Sequence, residues 1–213
     1  MTFASIHGKP TGDYNTLAGP GTGQYVCTST GTGKGKEHIQ NCIQYLQVKR
    51  TNKEVYDFLK TSCIPKSEWS KYAYIRDSES YSRNLIHDEP GKFRLILICW
   101  KPGHYNAIHD HNGSDCYFKV LEGRVREIQF QKQSQKSDKE YDEGEVCYLE
   151  SLNLSHQMSN PDSETIAVTL HLYIPPFDTC HIYDSNGQQI EEVVLSYASE
   201  HGEPLYDDCH QLL

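Results

Sequence analysis

A pair of histidines, a third histidine downstream and a tyrosine–arginine pair carry the chemistry open to this sequence. His109 follows Gly103 after five intervening residues and His111 lies two further on. Cys116 follows after four more and Gly123 after another six. On an extended strand, residues two apart project to one side, so His109 and His111 are expected to share one space. Paired imidazoles at that spacing can grip a single metal ion. The plainer alternative is two exposed or hydrogen-bonded histidines in a polar loop, and the flanking glycines at fixed distances favour the metal. His156, four residues before Asn160, is a candidate third ligand; its alternative is a surface histidine after Ser155. Three neutral imidazoles leave the charge of an ion uncompensated, which favours an anionic partner such as a thiolate.

The stretch from Thr165 to Ile174 alternates. Ile166, Val168, Leu170, Leu172 and Ile174 form one face, and Thr165, Ala167, Thr169, His171 and Tyr173 the other. If the apolar face packs outward against a second layer, Thr169, His171 and Tyr173 line an interior; otherwise they belong to a solvent-facing sheet. In Tyr81-Ser82-Arg83-Asn84, the arginine can hold a carboxylate through two parallel hydrogen bonds, although a lone arginine more often makes a surface ion pair.

These residues need a scaffold, and the rest of the chain predicts one. Ile39, Ile43 and Leu46 recur at helical spacing, Thr51-Asn52-Lys53-Glu54 is a capping box, and Ser67 to Tyr72 forms another turn or two. From Phe93 onward the pattern is β, with strands expected at 93–100, 116–121, 124–130, 145–150, 165–174 and 190–197. Turn signals separate them at Asn112-Gly113, Glu122-Gly123, Asp142-Glu143-Gly144 and Asn186-Gly187. Gln131 to Glu140 reads as an exposed hairpin excursion. Short helices followed by many short strands predict a mainly β, α+β chain built on a jelly-roll or barrel. Eight of the 15 glycines fall within residues 1–36, which read as a flexible leader. Its Gly33-Lys34-Gly35-Lys36 does not make a phosphate loop, because Glu37 stands where a magnesium-binding Ser or Thr is needed. The expected organisation is a leader over 1–36 and one domain over 37–213, with its helical segment at 37–73.

Composition narrows the classes. At 213 residues the chain can bury a substantial core. A net charge of −9 without a basic stripe argues against nucleic acid. The longest apolar run, Leu95 to Trp100, is far shorter than the roughly 20 residues of a membrane helix, and residues 1–20 lack the apolar core of a secretory signal. A cytoplasmic protein is expected, and in a reducing compartment its eight cysteines would stay free thiols.

The Gly103–Gly123 motif resembles the cupin metal signature, with Cys116 where most cupins place a glutamate. Together with Tyr81-Ser82-Arg83-Asn84, Cys99-Trp100, Leu170-His171-Leu172-Tyr173 and the run Pro175 to His181, it resembles the cysteine dioxygenases over roughly residues 67–185. The resemblance implies a cupin jelly-roll β-barrel holding one Fe(II) per chain on His109, His111 and His156, with no organic cofactor. It implies L-cysteine and O2 as substrates, a sulfinic acid as product, and a monomer. Arg83 and Tyr81 match the substrate-carboxylate pocket. His171 and Thr169 match a relay to Tyr173, and Tyr173 and Cys116 match a pair joined by a thioether cross-link. Trp100 and Cys180 are expected around the site, with a cis Ile174–Pro175 peptide beside it. The family tends to have glycine two residues before the third histidine, where this chain has Leu154. Three alternatives remain at this point: a thiol dioxygenase acting on 3-mercaptopropionate or cysteamine, a non-catalytic metal-binding cupin, and a zinc site with Cys116 as fourth ligand.

Overall fold

The structure, a computed structural model, describes residues 38–131, 134–151 and 154–205. The leader expected over 1–36 lies outside them, as do Cys27 and Cys209. Helix α1 (His38–Leu46) forms where the apolar spacing predicts it and buries Ile39, Cys42, Ile43 and Leu46. Helix α2 (Asn52–Thr61) starts at the expected capping box. The Thr51 side chain accepts from the Glu54 N–H, and the Glu54 carboxylate accepts from the Thr51 N–H at 2.8 Å. The box satisfies two backbone donors that the first helical turn leaves unpaired. Helix α3 (Lys66–Trp69) follows Pro65, runs on into a 3-10 turn at Ser70–Tyr72 and buries Trp69.

The β region begins earlier than expected. Strand β1 (Tyr81–Glu89) carries the tyrosine–arginine segment and pairs antiparallel with β2 (Phe93–Trp100), setting Tyr81 opposite Trp100 and Arg83 opposite Ile98. Buried polar residues such as Ser82 and Asn84 hide this strand from a hydrophobicity pattern. Then come β3 (Ile108–His109), β4 (Asp115–Glu122), β5 (Arg124–Gln131), β6 (Ser134–Asp142), β7 (Val146–Leu149), β8 (Leu154–Ser159), β9 (Ala167–Ile174), β10 (Thr179–Tyr183), β11 (Gln189–Val194), β12 (Ser199–Glu200) and β13 (Glu203–Pro204). The expected excursion is β6, hairpinned against β5.

Among the described residues, these strands make a seven-stranded sheet, β13-β12-β1-β2-β9-β4-β7, and a six-stranded sheet, β11-β10-β3-β8-β5-β6. From β3 to β10 the chain passes back and forth between the two sheets, the β5–β6 hairpin excepted. The fold is a mainly β jelly roll with short helices ahead of it. This is the expected cupin-type jelly roll; among the described residues its strands are shared between two sheets and form no single closed barrel.

The seven-stranded sheet is buried on both faces. Phe93, Leu95, Leu97, Cys99, Val168, Leu170 and Leu172 pack with the helices. On the other face Ile96, Ile98, Trp100, Cys116, Phe118 and Tyr173 meet Val125, Met158 and Cys180 of the second sheet. The alternation of β9 therefore resolves as an interior, with Thr169, His171 and Tyr173 facing inward. Lys119, at the outward parity of β4, is buried and donates to the Leu59 carbonyl in the last turn of α2 at 2.9 Å. A cation is favourable at that helix end.

Gly123 closes the β4–β5 turn at φ +75, and an added Cβ there would sit 2.9 Å from the Ile166 carbonyl oxygen. The obstacle is backbone and cannot swing aside. Gly123→Ala should therefore destabilise the fold by about 2–4 kcal/mol, combining the left-handed penalty with overpacking. Thermal melting checks this; an unchanged midpoint would mean that the turn relaxes freely.

The free-thiol expectation needs one correction. Cys42, Cys99, Cys116, Cys147 and Cys180 are free and buried, but Cys63 is disulfide-bonded. Sequence spacing does not reveal which thiols approach one another in space.

Candidate metal centre

His109 ends β3, where it pairs directly with His156 of β8, and the two ring centroids lie 4.7 Å apart. His111 sits in the turn just beyond β3, with Asn112 at φ 49 and the Ser114 N–H donating to the His111 carbonyl at 3.0 Å. Its ring lies 5.3 Å from that of His109 and 4.8 Å from that of His156. The segment holding the third histidine, where the sequence predicts no strand, is strand β8. Its register against β5 puts His156 opposite Gln129. Leu154, the departure noted in the sequence, opens that strand.

The orientation of each ring follows from its partner. The Nδ1–H of His109 donates to the Ala107 carbonyl at 3.0 Å, and Nδ1 of His156 lies 2.7 Å from Oε1 of Glu127. In both rings Nε2 is left to face the shared space. Nε2 of His111 is buried and has no hydrogen-bond partner among the described residues. A buried polar atom without a partner is costly and calls for a ligand. Burial, followed by the neighbouring His156, pushes His109 down to about 3, and burial holds His111 well below its usual range. Both therefore offer neutral lone pairs. Ligand nitrogens of the three residues lie within 4.8 Å of one another. This donor set fits a divalent metal ion. Cys116 is not part of the cluster, so the tetrahedral site with a cysteine ligand gains no support.

The family model for cysteine dioxygenase type I matches residues 29–186. This chain belongs to the cysteine dioxygenase type I family. It is 37% identical over 143 residues to "Cysteine dioxygenase type 1" of Rattus norvegicus, covering 64% of this chain and 71% of the rat protein. The Homo sapiens protein of the same name matches at the same identity and coverage. The Danio rerio protein is 32% identical over 175 residues, covering 78% of this chain and 86% of that protein. Among solved structures, a double-stranded β-helix protein from Klebsiella pneumoniae aligns at TM-score 0.45 and 14% identity, covering 54% of this chain and 93% of that one.

In this cysteine dioxygenase family member Trp100, Cys116, Tyr173 and Cys180 pack in one cluster between the sheets, with Tyr81 against it. Cys116 on β4 lies directly opposite Tyr173 on β9, and facing residues of an antiparallel pair have Cβ atoms about 4.5–5.5 Å apart. The Tyr173 ring stands 5.4 Å from His111. Burial raises both the Cys116 thiol and the Tyr173 phenol well above their usual ranges, so both hold their protons. The Trp100 indole N–H donates to Thr169 Oγ1 at 2.8 Å, Thr169 Oγ1 lies 2.8 Å from His171 Nε2, and His171 Nδ1 makes a long 3.5 Å contact with the Tyr173 hydroxyl. Arg83 donates to the Tyr81 hydroxyl at 2.9 Å and stands over its ring at 4.9 Å, while Tyr81 stacks on Trp100 at 5.1 Å. The Arg83 charge reaches His109, His171 and Tyr173, each of which it shifts downward. Cys180, buried on β10, is pushed up to about 11 by burial, with Arg83 opposing. The Ile174–Pro175 peptide is cis.

Two residues escaped the sequence reading. Glu127 on β5 shares the inward parity of Val125, whereas Arg124 and Arg126 are exposed. An acidic residue at an apolar parity was the available signal. Arg94 grips Asp88 at 2.9 and 3.0 Å and donates to the Phe177 carbonyl at 2.5 Å. It thereby anchors the loop whose Phe177 ring packs 4.9 Å from Tyr173 and 5.7 Å from His111. Arginine reads as surface in a sequence, so nothing there marked it.

Proposed function

We propose that the protein oxidises L-cysteine with O2 to cysteine sulfinic acid at a ferrous ion held by His109, His111 and His156. The observation that carries this reading is the cluster of three buried histidine rings with the Arg83 charge acting on the same interior. When bound, the iron supplies Lewis acidity towards the thiol and redox chemistry towards O2. Both oxygen atoms go to sulfur, so RSH and O2 balance RSO2H without an external reductant.

The residues of the chain do the rest. Arg83 and Tyr81 hold the substrate carboxylate, fixing the thiol on the histidine side and gaining from proximity. The buried walls keep water from the reacting sulfur. The indole of Trp100 can only donate, so Thr169 accepts from it and turns its own proton to Nε2 of His171. His171, neutral because burial holds it well below its usual range, then carries its proton on Nδ1 towards the Tyr173 oxygen. The Tyr173 proton is left for the pocket, where it donates to the oxygen or sulfur being transformed. This is fixed electrostatic support for the reaction. Cys116 and Tyr173, facing each other, are the pair for a thioether, whose formation passes two hydrogens, with their electrons, to O2 and so leaves hydrogen peroxide. Monomeric action in the cytoplasm is the accompanying proposal, and no helix among the described residues is long and apolar enough to cross a membrane.

The test is oxygen uptake by the iron-loaded protein with L-cysteine, 3-mercaptopropionate and cysteamine. One O2 should be consumed per cysteine, with the sulfinate as product and cysteine the best of the three. No uptake with cysteine, or faster turnover of another thiol, overturns the substrate assignment. Intact mass after turnover should be lower by two hydrogens where the cross-link has formed.

A further inference from the structure

We infer that Glu127 is a positioning residue for the metal centre: it orients His156 and places a buried negative charge directly behind that ring. The inference rests on the three-histidine reading of the site and adds a determinant of metal affinity and redox potential to it. The register of β5 against β8 pairs Glu127 with Met158 and Gln129 with His156, so Glu127 lies one diagonal step from the histidine on the same inward face. Its Oε1 is 2.7 Å from His156 Nδ1, and both side chains are 1% exposed. The other oxygen is held just as firmly. Gln129 Nε2 donates to Oε2 at 3.0 Å, Cys147 Sγ at 3.2 Å, and the Tyr141 hydroxyl lies at 3.3 Å. Cys147 belongs to β7 of the opposite sheet, so donors from both sheets fix the carboxylate and it cannot rotate away.

The electrostatics give this arrangement a purpose. Among the described residues, the hydrogen bonds to Glu127 come from a histidine, an amide, a thiol and a phenol, and none from Lys or Arg. A buried carboxylate without a cationic partner is expensive. A divalent ion on the far side of the His156 ring would supply the missing positive charge through one imidazole. Reciprocally, a carboxylate accepting from Nδ1 fixes the tautomer that leaves Nε2 with a free lone pair and makes the ring a stronger donor. A carboxylic acid donating to Nδ1 would do the opposite, placing a proton on the nitrogen needed for the metal.

Glu127→Gln keeps the shape and removes the charge. On the full-length protein loaded with Fe(II), it should weaken iron binding by about 10- to 100-fold, the usual scale for such a supporting residue, as read by competition with a chromogenic chelator. The Fe(III)/Fe(II) midpoint should move positive, because the ferric state loses more from removal of a negative charge. If the Gln variant does not fold, Glu127→Asp, which retains the charge but withdraws it from Nδ1, should show a smaller loss of iron affinity. Wild-type iron affinity and potential in the variant that folds would overturn the inference. His156→Ala, measured alongside, separates the two claims. If it keeps its iron, the ligand assignment fails; if it loses iron while Glu127→Gln does not, only the role of Glu127 fails.

Discussion

Replacing His109, His111 or His156 with alanine should strip the protein of iron and reduce cysteine-dependent oxygen uptake to background. The three rings are the only group of this kind among the described residues, so no neighbour can substitute for the one removed. Structural zinc sites with four ligands bind with apparent energies of about 10–16 kcal/mol, on the order of 3 kcal/mol per ligand, and that sets the scale expected for each histidine here. That corresponds to roughly a hundredfold loss of affinity per histidine. The fold should survive, because removing the metal-facing side chains leaves the two hydrophobic clusters intact. Elemental analysis after equilibration with stoichiometric Fe(II), together with circular dichroism, checks this. Near-normal iron in all three folded variants would leave the proposed chemistry without a centre.

The second large effect belongs to Arg83. Arg83→Ala should lower kcat/KM for L-cysteine by about 2–4 kcal/mol, roughly 30- to 1,000-fold, as expected when one partner of a sequestered, hydrogen-bonded charge pair is truncated. Cysteamine, which has the amine and thiol but no carboxylate, should be a poor substrate for the wild type and lose little in the variant. That asymmetry separates carboxylate recognition from general damage to the pocket. Equal losses on both substrates would show that Arg83 supports the fold or the iron instead, and an unimpaired variant would move the carboxylate elsewhere. The geometry favours the specific effect, because Arg83 is tethered to Tyr81, Tyr81 stacks on Trp100, and Trp100 starts the hydrogen-bond series ending at Tyr173. A carboxylate on this guanidinium is thus held against the same wall that orients the phenol.

Local periodicity and chemistry alone determined a good deal here. The capping box at Thr51 and the apolar spacing of Ile39, Ile43 and Leu46 fix helices because their forces act within one or two turns. The alternation from Thr165 to Ile174 separates a packing face from a reactive face; His109 and His111 do converge, but through the turn that follows β3 rather than along one extended strand. Long-range pairing decided the remainder. The register of β8 against β3 and β5 brings His156 to His109 and to Glu127, and that of β4 against β9 sets Cys116 before Tyr173. Strand β1 was invisible because its polar residues are buried by partners far away in sequence: Asn84 accepts from Ser199 at 2.7 Å. Buried charge behaves likewise. A carboxylate such as Glu127 or a guanidinium such as Arg94 reads as solvent-facing until the donors and acceptors that make its burial tolerable converge on it, and those come from other strands.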